Sequence, residues 1–465
     1  MNKYKYLLKN IGIMTLANLG TKIISFLMVP LYTNILSTND YGTYDFYQTT
    51  LFLLVPIMSF NIADGIMRFL LDNKHDEKEI LSIGFIHYIF ACLVILILII
   101  INQFTDLIHI FTLYPHFLFL YFCTSLLSDI LNSYARGIEK ISDVAIGGVI
   151  GSVSMISLNI LFLITFQMGL VGYFLANCLS FLCTSLFLIF KLKIWKNITL
   201  KKVNSSLQNQ MIKYSIPMGL GNIGWWVNNV SDRYIVTWIC GLAANGVYSV
   251  AYKIPSLLSM FQQIFNQAWT ISAVKEYDKD NSEFYSSIYN LYNLCMVVTC
   301  SILILFDKVI AYLLFGNEFY LAWKYAPFLM ISVVFGAMVQ LLGGIFSATK
   351  QSKEFGNTIM IGAIVNTILN IALVWVFGPL GAALATALSY MLIWGLRLFK
   401  IMNIMKLNIN LKRDLIAYFI LYVQSFILLL NKSIFTIAIL VVLFFLILVL
   451  FKKDIFLYLK KIRNN

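Results

Sequence analysis

The stretch from Tyr214 to Thr270 reads YSIPMGLGNIGWWVNNVSDRYIVTWICGLAANGVYSVAYKIPSLLSMFQQIFNQAWT. It consists of two long apolar segments that carry Asp232, Arg233 and Lys253 at membrane depth. Each such charge costs roughly 2.5 to 3.5 kcal/mol on membrane-insertion scales, so an ionisable residue in a span is by default a functional-site hypothesis. Uncharged polar and aromatic residues recur at helical spacing on one face of each segment, which indicates a water-accessible path. These residues are Asn222, Trp226 and Asn229 on the first segment, and Tyr252, Ser256, Ser259, Gln263, Gln267 and Thr270 on the second.

The composition predicts an all-α polytopic membrane protein. The chain has 465 residues, of which 60% are hydrophobic and 12% charged, whereas an ordinary soluble protein has about 25% charged residues. A span takes about 20 residues, so the apolar pattern predicts about fourteen transmembrane helices and leaves no stretch for a soluble domain. The predicted spans include segments near 10–34, 43–67, 212–239, 245–274, 414–431 and 433–451.

The basic residues predict how the chain is oriented in the membrane. The 34 Lys and Arg residues outnumber the 21 Asp and Glu residues, and they concentrate in alternate connections between spans. Only Lys308, Lys324 and Lys432 fall on the opposite side. By the positive-inside rule both termini are predicted to be cytoplasmic, and the net charge of +13 therefore indicates orientation rather than nucleic-acid binding.

The cysteines and the first residues predict neither a metal site nor a cleaved leader. The seven Cys residues lie in or beside apolar spans, without a CxxC pair or a histidine at ligand spacing, so no cofactor, metal or catalytic group is predicted. The opening MNKYKYLLKN imitates a signal peptide. It lacks a small-residue cleavage site, and we expect a retained first span.

Lys22 is the one basic residue within the first predicted span. It shares a helical face with Asn18 and lies about 18 Å from either end of the span at 1.5 Å per residue, too far for its amine to reach the surface easily. Either Lys22 lines a cavity, or it is a neutralised lysine that only fixes helix packing.

Two aspartates are candidates for ion coupling. Asp129 lies within the fourth span, on a face shared with Tyr121, Ser125, Asn132 and Arg136. A desolvated aspartate can hold a proton, but a packing hydrogen bond would explain Asp129 equally well. Arg136 lies near the predicted cytoplasmic edge, and so do Asp64 and Arg68, which are spaced i, i+4. This spacing favours an ion pair at a helix end over a coupling site.

An internal repeat predicts two homologous halves in parallel orientation. In this repeat the segment Ala348 to Lys353 corresponds to Ala135 to Lys140, and Gly378 to Gly381 corresponds to Gly169 to Gly172. The predicted organisation is an N-terminal lobe at 1–190, a basic cytoplasmic linker at 191–213, a C-terminal lobe at 214–403, and a hairpin of two spans with a tail at 404–465. The hairpin is predicted to have almost no internal polarity. Further matches are Leu369 to Ile371 with Leu158 to Ile160, and Asn245 to Tyr248 with Tyr41 to Tyr44.

Several of these motifs resemble a known family. DRYI at Asp232 to Ile235, Gly241, and GVYSVAYKIP at Gly246 to Pro255 closely resemble the second-half signature of bacterial polysaccharide flippases. YGTY at Tyr41 to Tyr44 and IMRF at Ile66 to Phe69 are similar to that family's first half. The chain thus resembles Wzx-type oligosaccharide flippases of the MOP exporter superfamily.

The resemblance implies a fold, a substrate and partners. It implies two six-helix lobes around a V-shaped central cavity that opens alternately to each side of the bacterial cytoplasmic membrane. The substrate would be an oligosaccharide on undecaprenyl pyrophosphate, carried from the cytoplasmic to the outer leaflet, with H⁺ or Na⁺ as the coupling ion. The implied partners, besides membrane lipids, are a polysaccharide polymerase and a chain-length regulator. The glycan, and an O-antigen or a capsule pathway, stay open.

The resemblance also implies which residues bind the substrate. Lys22, Asp232, Arg233 and Lys253 fall on the family's polar cavity positions, where Arg and Lys would bind the pyrophosphate. The other candidates for the cavity wall, which include rings that could stack on sugars, are Asn18, Asn222, Trp225, Trp226, Asn229, Tyr248, Tyr252 and Gln263.

Other functions compete with this interpretation. A lipid II flippase would also show fourteen spans and a basic cavity. A cation-coupled multidrug exporter would bind cations, which a net-positive cavity disfavours. A membrane-embedded polysaccharide polymerase or acyltransferase should carry a sizeable external loop or a cluster of His, Asp or Glu, and the sequence shows neither.

Overall fold

The computed structural model describes residues 20, 26–72, 74–198, 204–275, 282–349, 351–430 and 434–456. These residues are almost entirely helical and include no β-strand, which confirms the all-α prediction. The chain divides into two compact units, Met1–Val230 and Ser231–Asn465. The division falls within the predicted seventh span, and the units are described in turn.

The first unit is a helical bundle whose buried residues come mainly from α2, α6 and α8. The N-terminus of α2 is closed by a capping box, in which Ser37 Oγ accepts from the Asp40 amide while the Asp40 carboxylate accepts from the Ser37 amide. The helices are α1 (Val29–Ile35), α2 (Thr38–Met58), α3 (Ile62–Leu71), α4 (Glu77–Thr105), α5 (His109–Leu113), α6 (Pro115–Gly137), α7 (Ile141–Asn159, continued by a π-helical segment Ile160–Thr165), α8 (Gly169–Leu192) and α9 (Ser205–Asn229).

The predicted second span is broken between α2 and α3, whose axes differ by 56°. Pro56 lies within the last turn of α2, and Phe60 and Asn61 then adopt left-handed φ angles of 54° and 52°. That conformation costs about 1–2 kcal/mol for each L-residue with a Cβ, although asparagine tolerates it better than most residues. At the break, the Asn61 side chain contacts both Asp64 and Asn222.

The second unit is built around α14, which is buried along most of its length against α12, α13 and α16. Its helices are α10 (Ser231–Cys240), α11 (Leu242–Ala251), α12 (Lys253–Lys275), α13 (Ser282–Leu314), a 3₁₀ segment (Asn317–Lys324), α14 (Ala326–Ala348), α15 (Ser352–Phe377), α16 (Pro379–Met402), α17 (Leu411–Leu430) and α18 (Ile434–Leu450).

The predicted count of fourteen spans is not confirmed. Within the described ranges, nine helices are long and apolar enough to cross a membrane, or ten if α2 and α3 form one span. The predicted spans at 212–239 and 245–274 break near Val230 and Tyr252, so α10 and α11 have only 10 residues each. The last helix, α18, has 17 residues, and most of the first predicted span lies outside the described residues. The apolar helices and the relatives reported below make this a multi-pass membrane protein.

The hairpin α17–α18 carries more internal polarity than predicted. The buried Arg413 guanidinium donates to Asp414 and Asn290, each at 2.8 Å, and to Asp454. Further along α17, the Gln424 side-chain oxygen accepts a hydrogen bond from Ser301 of α13 at 2.9 Å. The bonds to Asn290 and Ser301 connect the hairpin to α13, and these two escaped prediction because their partners are more than 100 residues apart in sequence.

The turn between α15 and α16 explains one of the repeated glycine motifs and gives a stability prediction. A Cβ on Gly381 would lie 2.1 Å from the Leu373 carbonyl oxygen, a clash with backbone that cannot move aside. We expect Gly381→Ala to lower the free energy of unfolding by about 1–3 kcal/mol, the usual cost of overpacking. Thermal unfolding in detergent would measure this, with Gly148→Ala as the control because a Cβ there meets no atom within 4 Å. Equal melting temperatures for the two variants would contradict the assigned packing.

Candidate functional site

A carboxylate and two phenols form the buried part of the candidate site in the second unit. Asp232 begins α10 and is 3% exposed. Its Oδ2 accepts hydrogen bonds from the Tyr248 hydroxyl at 2.6 Å and the Tyr252 hydroxyl at 2.5 Å, and its Oδ1 accepts from the Arg233 amide at 2.9 Å. The short distances are typical of hydrogen bonds to a charged acceptor. The Asp232 carboxylate is therefore hydrogen-bonded by donors of its own unit.

The two cations of this site are more accessible than the carboxylate. The Arg233 guanidinium lies 5.0 Å above the Tyr252 ring, within the range of a cation–π contact. Lys253 follows directly at the start of α12 and is partly exposed. Its ammonium makes no hydrogen bond or ion pair with any residue in the described part of the chain. Arg233 and Lys253 can thus offer positive charge to an anion, while Asp232 holds Tyr252 in place beneath Arg233.

This arrangement changes the role of two predicted cavity residues. Asp232 and Tyr248 were expected to face a cavity, but Tyr248 is 0% exposed and both side chains are engaged with one another. They position the residues that remain accessible. Gln263, on α12, is exposed. Lys22 and Asn18 lie outside the described residues, as does the Trp225 side chain.

In the first unit, the polar stripe of the predicted seventh span lies on α9, and its Trp226 bonds to α2. The Trp226 indole N–H donates to the Thr49 carbonyl at 2.8 Å, so Trp226 is a packing contact here. Asn222 is exposed, and its amide donates to Asn61 Oδ1 at 3.2 Å. Asn229 is half-buried.

The same unit contains a cavity of about 450 Å³ between α2, α3, α6, α8 and α9. Three members of the predicted stripe on α6, namely Tyr121, Ser125 and Asp129, lie in its wall. The other two stripe residues, Asn132 and Arg136, do not line the cavity. Asn132 donates to the Ser128 carbonyl, and Arg136 donates to Ser133 Oγ. The lining residues are Gln48, Leu51, Phe52, Val55, Pro56, Asn61, Tyr121, Ser125, Asp129, Phe181 and Asn222.

The two candidate coupling carboxylates differ in their surroundings. Asp129 is exposed to the cavity and has no hydrogen bond or ion pair to the residues that the structure describes. Asp64 accepts a hydrogen bond from the Asn61 amide at 2.7 Å. The predicted Asp64–Arg68 ion pair does not form. The Asp64 carboxylate binds the Asn61 amide instead, and Arg68 pairs with Asp72 at 2.9 Å. Both side chains of that pair are substantially exposed.

Comparison with known proteins now identifies the family. The family model described as "Polysaccharide biosynthesis protein" matches residues 7–271, more than half of the chain. The chain belongs to this family. The family expectation from the DRYI and GVYSVAYKIP motifs is confirmed.

Relatives of this family member are distant. A probable low-salt glycan biosynthesis flippase, Agl15 of Haloferax volcanii, is 26% identical over 197 residues, which cover 41% of this chain and 42% of that protein. An uncharacterized membrane protein of Methanocaldococcus jannaschii, MJ1375, is 25% identical over 271 residues, which cover 53% of this chain and 62% of that one. The matched part thus spans less than two thirds of either relative.

Solved structures show the fold. A lipid II flippase, MurJ, in an inward closed conformation matches with a TM-score of 0.70 at 15% identity, over 96% of this chain and 98% of MurJ. An inward-facing MATE multidrug transporter of the MOP superfamily matches with a TM-score of 0.62 at 15% identity, over 84% of this chain and 95% of the transporter. The polysaccharide biosynthesis protein therefore has the fold shared by these transporters.

Seven residues of the cavity wall were missed from sequence, namely Gln48, Asn61 and Phe181 and the four apolar residues Leu51, Phe52, Val55 and Pro56. Gln48 and Asn61 are polar residues within the predicted second span, and a polar residue in a span often marks a functional site. Asn61 carries a second signal, because asparagine is favoured where the chain adopts a left-handed φ. Phe181 offers no signal, since phenylalanine is ordinary in an apolar helix.

Proposed function

We propose that this protein is a flippase for lipid-linked oligosaccharides. It moves the oligosaccharide on undecaprenyl pyrophosphate from the cytoplasmic to the outer leaflet of a bacterial cytoplasmic membrane by alternating access, with both termini cytoplasmic. The observation that carries the proposal is the accessible pair Arg233 and Lys253 beside a buried carboxylate whose Oδ2 accepts hydrogen bonds from Tyr248 and Tyr252. Family membership and the flippase named among the relatives support it.

The charges of this site suit a diphosphate headgroup. A guanidinium binds phosphate oxygens in pairs, and a lysine adds a point charge. If Asp232 faced the ligand, it would repel the diphosphate; instead its lone pairs accept from Tyr248 and Tyr252. Lys22 is proposed as a third cation toward the same headgroup. The test of the proposal is translocation of a lipid-linked oligosaccharide by the purified protein in proteoliposomes, with Arg233 and Lys253 variants alongside.

Ion coupling is proposed for the carboxylates of the first unit, Asp64 and Asp129, with H⁺ or Na⁺ as the ion. Asp129 is the more open of the two, since no described donor occupies its oxygens. We expect Asp129→Asn to reduce the stimulation of transport by an imposed ion gradient about tenfold or more, because coupling free energies of 1–3 kcal/mol correspond to about 5–150-fold. Flux into sealed vesicles with imposed H⁺ or Na⁺ gradients would measure this.

The control for that experiment is Asp106→Asn. Asp106 is an exposed carboxylate paired with His109 outside the cavity, and its loss should leave the gradient response unchanged. If transport by the wild type ignores every imposed gradient, coupling by either carboxylate is excluded.

Related functions remain as alternative outcomes of the same assay. Equal or faster transport of lipid II would favour a lipid II flippase, and export of organic cations would favour a multidrug exporter, since the fold is common to both. Growth of a polymer from short lipid-linked units by the purified protein would favour a polymerase. A separate polymerase and a chain-length regulator are proposed as partners, which crosslinking in cells would identify.

A further inference from the structure

The cavity of the first unit combines amide groups, a carboxylate and aromatic rings in one wall. Gln48 and Asn222 contribute amides, Asp129 contributes a carboxylate, and Tyr121 and Phe181 contribute rings whose centroids lie 5.7 Å apart. Its volume of about 450 Å³ lies within the range of about 300–1,000 Å³ that small-ligand sites occupy. We propose that this cavity is a sugar-binding subsite, which takes neutral or amino sugars of the transported glycan. The proposal rests on the flippase function proposed above.

The charge of the lining separates this subsite from the diphosphate site. Among the described residues that line the cavity there is no Lys or Arg, and Asp129 is the one charged residue. An anionic headgroup would meet this carboxylate, whereas hydroxyl groups of a sugar would donate to it. The cations Arg233 and Lys253 belong to the second unit and are not among the residues of this cavity.

Unused hydrogen-bonding capacity points into the cavity. The Asn222 amide gives one N–H to Asn61; its second N–H and its carbonyl oxygen make no bond with residues in the described ranges. The Ser125 hydroxyl donates to the Phe122 carbonyl at 3.1 Å and keeps its lone pairs for a ligand. Amides and carboxylates have both the donors and the acceptors that adjacent sugar hydroxyls require. A polar ligand would satisfy these groups, and an apolar one would leave them desolvated and unpaired.

The aromatic side of the cavity supplies the complementary surface. Phe181 of α8 and Tyr121 of α6 present tilted rings, and Phe52 of α2 extends the apolar wall. The C–H face of a pyranose can pack on such rings while its hydroxyls reach the amides opposite. A hydrophobic cation would use the rings and Asp129 alone and would leave Gln48 and Asn222 unused, which is why we favour sugars over organic cations.

The test uses the whole protein in nanodiscs with three probes. The first probe is the oligosaccharide released by mild acid from the lipid-linked glycans of the source organism. The second is undecaprenyl pyrophosphate without sugar, and the third is tetraphenylphosphonium. The variants are Gln48→Leu and Phe181→Leu, with Phe190→Leu as the matched control, since Phe190 is on the same helix α8 but 65% exposed and in contact with Trp195. Thermal unfolding checks that each variant is folded.

We expect Gln48→Leu and Phe181→Leu each to weaken oligosaccharide binding about tenfold, the effect of one lost ligand contact of about 1.4 kcal/mol. Binding of undecaprenyl pyrophosphate should be unchanged in both, and Phe190→Leu should bind all probes as the wild type does. Unchanged oligosaccharide affinity in both cavity variants overturns the subsite but leaves the flippase proposal standing. Binding of tetraphenylphosphonium that only the cavity variants lose overturns the subsite in favour of a cation site. If the wild type binds neither oligosaccharide nor undecaprenyl pyrophosphate, the flippase proposal fails as well.

Discussion

Replacing Arg233 by Ala is expected to abolish surface polysaccharide while the protein still reaches the membrane in normal amount. The guanidinium stacks 5.0 Å above the Tyr252 ring, so its fork is held in place before a ligand arrives. Loss of one partner of a desolvated charge pair costs about 2–5 kcal/mol, so transport should fall by about 100-fold. Lys253→Ala should act in the same direction. Complementation of a strain that lacks the gene, with immunoblots of membrane fractions, would measure both.

Two further variants make the Arg233 experiment specific. Arg233→Lys keeps the charge but loses the planar fork that binds two phosphate oxygens, and we expect intermediate transport. Lys191→Ala removes an exposed lysine at the end of α8 and should leave transport unchanged. Normal polysaccharide in both Arg233→Ala and Lys253→Ala would contradict the assignment of the headgroup to these cations.

Replacing Asp232 by Ala is expected to destabilise the second unit more than any other single change in the site. The substitution leaves the hydroxyls of Tyr248 and Tyr252 without their acceptor, and hydrogen bonds to charged groups contribute about 1.5–3 kcal/mol each. We expect a loss of about 3–5 kcal/mol in the free energy of unfolding and a clear fall in melting temperature. Thermal unfolding in detergent, followed by tryptophan fluorescence, would measure it.

The matched variant for Asp232 is Tyr252→Phe, which removes one donor and keeps the ring beneath Arg233. Its cost should be about 1.5–3 kcal/mol, less than that of Asp232→Ala, because Asp232 retains its bond from Tyr248. An Asp232→Ala protein as stable as the wild type would show that the carboxylate is not held as described, and would return Asp232 to the role of a ligand contact.

The sequence predicts the helical class and the polar face of α6 well. Tyr121, Ser125 and Asp129 were grouped by helical periodicity alone, and the structure places all of them in the wall of one cavity. Such a face is predictable because the spacing of residues on one helix needs no knowledge of neighbouring helices.

The breaks in the spans and the pairing of charges could not be predicted. Asp232 looked accessible because periodicity shows which residues share a face but not which donors cover it. Its Oδ2 accepts from tyrosines 16 and 20 residues away, across the helix break at Gly241. The pairing of Asp64 with Arg68 was predicted for the same reason. The Asn61 amide that binds the Asp64 carboxylate lies in a left-handed turn, and such a turn has only a weak signature in sequence.

The internal repeat predicted from sequence pairs Tyr44 of the first unit with Tyr248 of the second. In the first unit the Tyr44 hydroxyl donates to the neutral Asn177 side chain at 3.0 Å, whereas in the second the Tyr248 hydroxyl donates to the Asp232 carboxylate. The same aromatic position therefore serves a neutral partner in one half and supports the charged site in the other.

The most direct test of the flippase proposal is translocation in proteoliposomes that contain only the purified protein. Fluorescent undecaprenyl-pyrophosphate-linked oligosaccharide is placed in both leaflets, and a membrane-impermeant glycosidase reports the fraction that reaches the outside. The account predicts that the wild type makes nearly all of the lipid accessible, while Arg233→Ala leaves about half protected, as in protein-free liposomes with equal leaflets. A wild-type protein that leaves the same fraction protected as protein-free liposomes would contradict it.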